Sequence, residues 1–518
     1  MSAQFSRIAP KELLRQIPAH TFFITAYQIV SLLAFNIDQI YAQNALKPLL
    51  ISLIAMVIVL FVLRILTKNW QLAGVLASLL VIWFFLYGRL YTPLKSVSIF
   101  GFVLGRHRYL LIVWSGLILA VAFWLTKRLS IIPSLTMILN IFSAILICLP
   151  LIQIVAFYVN DLNLHTIQPE DSINPSISWT SDSIPPDIYY IVLDGYVRAD
   201  VLKKEYGIDN TEFLVDLQDM GFFIANCSQS NYTRTLHSLS STFNMEYIQD
   251  LEEGIKPDQD SSWLLPYLKQ SEVRKQLEML GYKTIVFKNP WERYIWDDAA
   301  IVFRSSGTDL LSPFEYLLLR TTVARVYLDF KEADSRQLAN FAYYEDTLYA
   351  LKQLPKVPAI SGSKFVFIHL MIPHPPFVFG SNGEKIDIPY DADAGNIYTE
   401  EDFKRGYAAA VSYINKRMLE IIPQVIQASK TPPIIVIAGD HGMPWGELEN
   451  NVRNLAVFYT PASQSPFYET ISPVNIFRVL FDTFFNGNYG LLLDRGYLFT
   501  EKGRFDFQEI PNVCDATD

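Results

Sequence analysis

Four long apolar runs in the first 160 residues restrict most strongly what this chain can fold into. They lie at about 48–66, 70–87, 109–125 and 131–159, and a fifth, more polar run lies at 21–37. A helix needs about 20 apolar residues to cross the hydrocarbon core of a bilayer. Soluble folds rarely contain four such runs with short connections, so buried core helices are the weaker interpretation. The pattern predicts a transmembrane region over residues 1–160 with about five helices.

The charge of the chain changes sign where the apolar runs end. Residues 1–160 carry a net charge of +10, the remainder −19, and the whole chain −9. This asymmetry indicates two regions in two environments, and the acidic balance argues against a nucleic-acid partner. With five spans, seven Lys and Arg residues lie on the side of the N-terminus and five on the other side. Because positive residues favour the cytoplasmic side, we expect a multi-pass protein of the plasma (inner) membrane with an extracytoplasmic C-terminal region. Without the first span, the parity changes and the C-terminal region lies on the other side.

A polar segment rich in Ser, Asp and Pro at 161–186 predicts a linker that leaves the membrane. Beyond it, apolar runs with β-branched and aromatic residues occur at 188–193, 283–287, 364–370 and 433–438, and helical stretches lie between them. This alternation is typical of a mostly parallel sheet covered by helices on both faces. We therefore expect residues 187–518 to form one αβα sandwich domain.

The chain has three cysteines, too few for a disulfide scaffold. Cys148 lies in an apolar run, whereas Cys227 and Cys514 lie in polar sequence. The sequence leaves open whether these last two form a disulfide bond.

Three of the predicted strands end in residues that can bind a metal ion. The first strand ends at Asp194, the second contains His369 and leads to His374, and the third ends at Asp440–His441. Taken singly, an Asp-Gly after a strand is more often a turn, and a histidine at a strand end is more often structural. Together they indicate one site, because ligands of open α/β sheets bind beyond the carboxyl ends of the strands. Two carboxylates and an imidazole suit a divalent ion such as Mn²⁺, Zn²⁺ or Mg²⁺.

The segment NYTRTLHSLSSTFNMEY at 231–247 is crowded with hydroxyl groups. Such a segment commonly caps a helix. It can also present a hydroxyl at a helix N-terminus, where backbone N–H groups and the helix dipole favour an anion. A hydroxyl activated by a metal ion at that place would be a nucleophile, and Thr233, Thr235 and Ser238 are the candidates.

The order of these motifs resembles the alkaline phosphatase/sulfatase superfamily. A strand ending in Asp, a threonine in a hydroxyl-rich helix start, a strand with H-x-x-x-x-H-x-P and a strand ending in GDHG follow one another along this chain. The membrane-attached branch is the most similar, namely the lipoteichoic acid synthases and the lipid A phosphoethanolamine transferases. That branch also pairs about five N-terminal spans with an extracytoplasmic catalytic domain.

The resemblance implies a role for each motif residue. Thr235 takes the position of the nucleophile, which is also a metal ligand, and the other ligand positions are taken by Asp194, Asp440 and His441. His374 matches a histidine that contacts the anionic group of the substrate, and His369 either contacts substrate or lies behind the ligands. The chain has Asp194 where the transferases have Glu, and Asp-Gly in place of paired aspartates favours one metal ion over two. No C-x-P-x-R or S-x-P-x-R segment is present, so formylglycine chemistry is not supported.

The motifs and the membrane region together imply a metal-dependent transferase. We expect it to move a phosphoryl-linked headgroup, of the phosphoethanolamine or glycerol phosphate type, through a covalent threonine intermediate to an envelope lipid or glycan. One alternative is a hydrolase of phosphate or sulfate esters from the same superfamily, because only the final acceptor differs. Another is a non-catalytic membrane protein whose sulfatase-like domain binds a glycan or a partner.

Overall fold

The computed structural model describes residues 16–37, 40–95, 97–99, 102–103, 105–166, 176–181, 183–289, 292–305, 311–331, 340–390, 398–443, 447–462, 464–512 and 514. The chain divides into two compact units. The first unit comprises residues 1–162 and 309–339, and the second comprises residues 163–308 and 340–518.

The helices and strands of the described residues are numbered in chain order. The helices are α1 (His20–Phe35), α2 (Leu46–Thr67), α3 (Trp70–Leu94), α4 (His107–Thr126), α5 (Ile132–Thr166), α6 (Ala199–Tyr206), α7 (Thr211–Asp219), α8 (Thr235–Asn244), α9 (Ile248–Leu251), α10 (Leu265–Lys269), α11 (Glu272–Met279), α12 (Pro313–Arg320), α13 (Arg325–Phe330), α14 (Phe341–Gln353), α15 (Glu400–Ala428) and α16 (Pro473–Phe484). The strands are β1 (Ser98–Ile99), β2 (Phe102–Val103), β3 (Ile188–Leu193), β4 (Phe223–Ile224), β5 (Lys283–Phe287), β6 (Ile301–Phe303), β7 (Lys364–Leu370), β8 (Ile434–Ala438), β9 (Ala456–Tyr459), β10 (Gly496–Thr500) and β11 (Gly503–Ile510).

Helices of membrane-spanning length form most of the first unit. Four helical stretches are long and apolar enough to cross a membrane: Ala42–Thr67, Trp70–Leu94, His107–Thr126 and Leu129–Val159. They confirm the four long apolar runs as helices. The fifth predicted span corresponds to α1, whose 16 residues extend about 24 Å, less than the hydrocarbon thickness of about 30 Å. Large apolar side chains such as Ile54, Ile112 and Ile152 are exposed on these helices, as expected for surfaces that face lipid.

The first unit also contains residues 311–331, which we call the inserted segment. Phe314 and Leu318 of α12 are buried in the apolar core formed by α1, α2 and α3. The N–H of Gly88 donates to the carbonyl of Thr321 at 2.9 Å. The sequence analysis assigned this segment to the soluble domain at 187–518, because an eight-residue helix is far too short to be recognised as a span. The structure packs it with the helical unit instead.

Polar contacts also join the inserted segment to the membrane helices. They are Lys47 Nζ with Glu315 Oε1 at 2.9 Å, His107 Nε2 with Asp329 Oδ2 at 3.0 Å, and Arg325 Nη1 with Thr92 Oγ1 at 2.9 Å. Lys47 lies at the beginning of α2, Thr92 at the end of α3 and His107 at the beginning of α4. These three helix ends therefore lie on one side of the bundle.

The second unit is built on a seven-stranded sheet in the order β4-β9-β8-β3-β7-β5-β6. The strands β8, β3, β7, β5 and β6 are parallel, whereas β9 runs antiparallel to both of its neighbours. Tyr189 and Ile191 of β3 face one apolar core, and Tyr190 and Val192 face a second core. Helix α15 contributes to the first core, and α8 and α16 contribute to the second. The predicted αβα sandwich with a mostly parallel sheet is confirmed.

Cys227 and Cys514 form a disulfide bond in the second unit. Their Cα atoms are 5.3 Å apart, and they are separated by 287 positions in the sequence. Cys148 is a free, exposed cysteine. A cross-link that closes so long a loop removes many conformations from the unfolded chain.

Replacing Cys514 should therefore lower the stability of the second unit. We expect Cys514→Ser to reduce the free energy of unfolding by about 2–4 kcal/mol, and thermal unfolding of the full-length protein in detergent without reductant measures the change. Cys148→Ser also removes one thiol but breaks no cross-link, so it is the matched control. Equal melting temperatures for the two variants would contradict a stabilising disulfide.

Candidate active site

Three adjacent parallel strands bring candidate ligands to one edge of the sheet. Asp194 follows β3, His369 is the penultimate residue of β7, and Asp440 lies two residues beyond β8. Val192 pairs in register with His369 on one side and with Ala438 on the other. One ligand atom from each of Asp194, His369 and Asp440 lies within 4.8 Å of the others. All three side chains are buried, with exposed fractions of 1%, 3% and 2%.

His441 lies between the two carboxylates. Its Nε2 is 3.5 Å from Asp194 Oδ1 and 3.5 Å from Asp440 Oδ2. Its Nδ1–H donates to the carbonyl of Gly442 at 2.6 Å. Because a carbonyl oxygen can only accept, the neutral imidazole carries its proton on Nδ1, and the lone pair of Nε2 faces the carboxylates. This is the tautomer in which a histidine binds a metal through Nε2.

The electrostatics of the site favour a cation beside these groups. Burial disfavours the ionised form of Asp194, but the nearby His374 and the hydrogen bond from His369 outweigh burial and hold the pKa of Asp194 well below its usual range. Burial likewise disfavours the charged form of His441, but Asp440 and Asp194 outweigh it and raise the pKa of His441. Asp194 Oδ1 and Asp440 Oδ2 have no hydrogen-bond partner among the described residues. Because an unpartnered buried oxygen is costly, two carboxylates and an imidazole in this arrangement suit a divalent ion.

The hydroxyl of Thr235 reaches the same place from another element. Thr235 is the first residue of the ten-residue helix α8, and its Oγ1 lies 3.4 Å from His441 Nε2. The first backbone N–H groups of a helix lack partners within the helix and favour an anion. Thr235 is partly exposed, whereas Ser238, one turn further along α8, is buried. Of these two candidate nucleophiles, Thr235 is the accessible one.

Phe243 fixes the position of α8 on the sheet. Its buried ring lies 5.2 Å from the ring of Tyr190 on β3, 5.0 Å from that of Phe367 on β7 and 5.8 Å from that of Phe477 on α16. Aromatic pairs at such distances add to the free energy of burial. Because Phe243 and Thr235 belong to one helix, this packing holds the hydroxyl at the sheet edge.

His369 is held on both of its ring nitrogens. Its Nδ1 lies 3.3 Å from Asn289 Nδ2, and its Nε2 lies 3.1 Å from Asp194 Oδ2. If the amide nitrogen of Asn289 donates to Nδ1, then Nε2–H donates to Asp194, which leaves Asp194 Oδ1 facing His441. The sequence analysis missed Asn289. It follows β5, the strand beside β7, so the rule that ligands lie beyond strand ends could have found it.

Gly195 is a second residue that the sequence analysis did not assign to the site. Its N–H donates to Asp440 Oδ1 at 3.0 Å and so helps to orient that carboxylate. Its φ of +67° lies in the left-handed region, and a Cβ atom there would lie 2.5 Å from Met443 Sδ. Only glycine meets both conditions without strain.

His374 lies on the loop after β7 and is partly exposed. Its ring centre is 6.2 Å from that of His441. The hydroxyl of Tyr343 donates to the carbonyl of Met371 and lies 3.2 Å from the carbonyl of His374, so it contacts this loop at two points. The structure therefore brings all six predicted site residues to one edge of the sheet, with Thr235 and His374 on its accessible side.

Comparisons with known proteins give matches among solved structures. No protein-family profile matches the chain, and no curated protein matches it by sequence. The chain is similar to the C-terminal periplasmic domain of EcEptC from Escherichia coli in complex with Zn, with 13% identity, a TM-score of 0.41 and coverage of 65% of this chain and 96% of that chain. It is similar to the integral membrane lipooligosaccharide phosphoethanolamine transferase A from Neisseria meningitidis, with 12% identity, a TM-score of 0.39 and coverage of 86% and 88%. It is also similar to the lipoteichoic acid synthase LtaP from Listeria monocytogenes, with 15% identity, a TM-score of 0.33 and coverage of 61% and 75%.

Removing one carboxylate should weaken metal binding. Asp194→Asn keeps the shape of the side chain but removes its charge, so we expect the affinity for Zn²⁺ or Mn²⁺ to fall about tenfold or more. Isothermal titration of the metal-stripped full-length protein measures the change. Asp219→Asn makes the same replacement on the exposed end of α7 and should bind metal as the wild type does. Equal affinities for the two variants would contradict a metal site at Asp194.

Proposed function

We propose that the chain is a membrane-anchored, metal-dependent transferase of the alkaline phosphatase/sulfatase superfamily. It would move a phosphoryl-linked headgroup, of the phosphoethanolamine or glycerol phosphate type, to an envelope lipid or glycan. The observation that carries this proposal is the convergence of an accessible helix-start hydroxyl, Thr235, with two buried carboxylates and the Nε2 atom of His441.

One divalent ion, Mn²⁺, Zn²⁺ or Mg²⁺, would be held by Asp194, Asp440, His441 and the hydroxyl of Thr235. Such an ion lowers the pKa of a coordinated hydroxyl and balances the charge of a phosphoryl group. Gly195 supports one ion over two, because the residue after Asp194 carries no second carboxylate. His369 would act as a positioning residue through its contact with Asp194 Oδ2.

The reaction would run in two displacements at phosphorus. In the first, Thr235 Oγ1 loses its proton and attacks the phosphorus of the donor in line. The bond from phosphorus to the leaving oxygen of the donor breaks, that oxygen takes up a proton, and a phosphothreonine ester forms. In the second, an acceptor hydroxyl attacks the same phosphorus, gives up its proton and restores the hydroxyl of Thr235. The N–H groups at the start of α8 and His374 would bind the transferring anion.

Two features support an extracytoplasmic site on a membrane-anchored chain. Four helices have the length and apolar composition of membrane spans. The Cys227–Cys514 disulfide is of the kind that persists in oxidising compartments.

The nucleophile can be tested by replacing Thr235 in the full-length enzyme. We expect Thr235→Ala to lower turnover of a headgroup-labelled phospholipid by about a thousandfold or more, while Thr235→Ser keeps a hydroxyl and retains part of the activity. Ser238→Ala is the matched control on the same helix and should remain active. Full activity of Thr235→Ala would overturn the assignment.

Peptide mass spectrometry of the protein from its native membrane identifies the transferred group. The peptide that contains Thr235 should carry an adduct whose mass distinguishes phosphoethanolamine, glycerol phosphate and plain phosphate. A hydrolase would use the same residues, since water can also reach the partly exposed Thr235. Transfer of the label to an added lipid or glycan acceptor supports the transferase, and release of the label to water alone supports the hydrolase.

A further inference from the structure

A groove of about 550 Å³ lies between α2, α3 and α12 of the first unit. Its inner surface is formed by buried apolar residues, among them Met56, Val81 and Phe85, and its rims by the exposed Ile51 and Leu80. A volume of this size falls within the range of sites that hold small ligands, about 300–1,000 Å³. Because α2 and α3 have the composition of membrane spans, lipid rather than water surrounds this groove.

The length of the groove matches one leaflet of a bilayer. Its lining on α2 runs from Pro48 to Val59, a rise of about 16 Å at 1.5 Å per residue. Half of the hydrocarbon thickness is about 15 Å. An acyl chain that begins at the level of Pro48 would therefore end near Val59.

An ion pair lies at the Pro48 end of the groove. Lys47 directly precedes Pro48, and its Nζ lies 2.9 Å from Glu315 Oε1, with side-chain exposed fractions of 64% and 12% for the two residues. Glu315 is fixed in turn, because its Oε2 accepts the N–H of Ser312 at 2.9 Å. An ammonium group has three donors. Glu315 therefore holds Lys47 at the mouth of the groove and leaves donors that can bind the phosphate of a lipid.

We propose that this groove binds one membrane phospholipid, with an acyl chain between α2, α3 and α12 and its phosphate at Lys47. The site goes beyond the proposed reaction, because binding requires no turnover and uses none of the residues at the sheet edge. Helix α12 forms one wall, so the inserted segment completes the lipid site.

Photolabelling of the full-length protein in phospholipid nanodiscs tests the proposal. A phospholipid with a diazirine in the middle of one acyl chain is irradiated, and the labelled peptides are mapped by mass spectrometry. We expect label to concentrate on residues 51–59, 80–85 and 311–322. Label spread evenly over the exposed faces of the spans, α4 included, would overturn the proposal.

Filling the groove should remove this label. Ala55→Phe places a ring among the lining residues and should cause loss of most of the label, and Val59→Phe, one turn further along, gives an independent variant. Ala120→Phe makes the same replacement as Ala55→Phe but on the exposed face of α4. In this control variant the groove should stay labelled. If the groove is labelled in Ala55→Phe and Val59→Phe as strongly as in Ala120→Phe, the result contradicts an acyl-chain site.

The contact between Lys47 and the lipid phosphate is tested by removing one positive charge at each end of α2 in turn. Lys47→Ala should lower the amount of phospholipid that stays bound in native mass spectra, whereas Lys68→Ala, at the opposite end, should not. Equal retention by the two variants would overturn the phosphate contact. Thr235→Ala should keep the groove label, so loss of activity and loss of lipid binding are read separately.

Discussion

Two carboxylates buried side by side are the constraint on which the second unit depends. Asp194 and Asp440 lie at the end of adjacent strands with His441 between them. Bringing two such groups out of water costs several kcal/mol unless cations or hydrogen bonds offset it. The N–H of Gly195 and the ring of His369 each satisfy one oxygen, and the remaining oxygens face His441. The site is therefore prepared for a cation by the fold itself.

The geometry of the sheet fixes the positions of the residues that follow its strands. Parallel strands present their carboxyl ends at one edge, and β3 lies between β7 and β8, so three chain segments far apart in sequence end next to one another. The nucleophile candidate comes from α8, which the sheet does not position by hydrogen bonds. Its position depends on packing, chiefly on Phe243 between aromatic rings of β3, β7 and α16. The position of the Thr235 hydroxyl therefore depends on packing in the apolar core, whereas the positions of the ligands depend on the strand ends.

The strands that carry the ligands could be predicted from the sequence because each combines a buried apolar run with a polar residue directly after it. The long apolar helices could also be predicted, because their signal lies in many consecutive apolar residues. The short strands β4 and β9 at one end of the sheet were not predicted, and their antiparallel pairing depends on tertiary contacts. The strand-end rule could have placed Asn289 at the site, but its contact with His369 and the positive φ of Gly195 are properties of the folded chain.

The inserted segment is the clearest case in which the sequence did not reveal the unit that a segment packs with. The chain passes between the units at 162–163, at 308–309 and at 339–340, and not only at the predicted linker. Phe314 and Leu318 are buried against membrane helices, which stabilises the first unit by about 1.5–3 kcal/mol for each side chain. A chain cut at the linker would expose both residues on the soluble fragment and would remove a wall from the groove beside α2. The helical unit is completed by a segment that lies in sequence between β6 and α14 of the second unit, so the N-terminal part of the chain does not contain the whole helical unit.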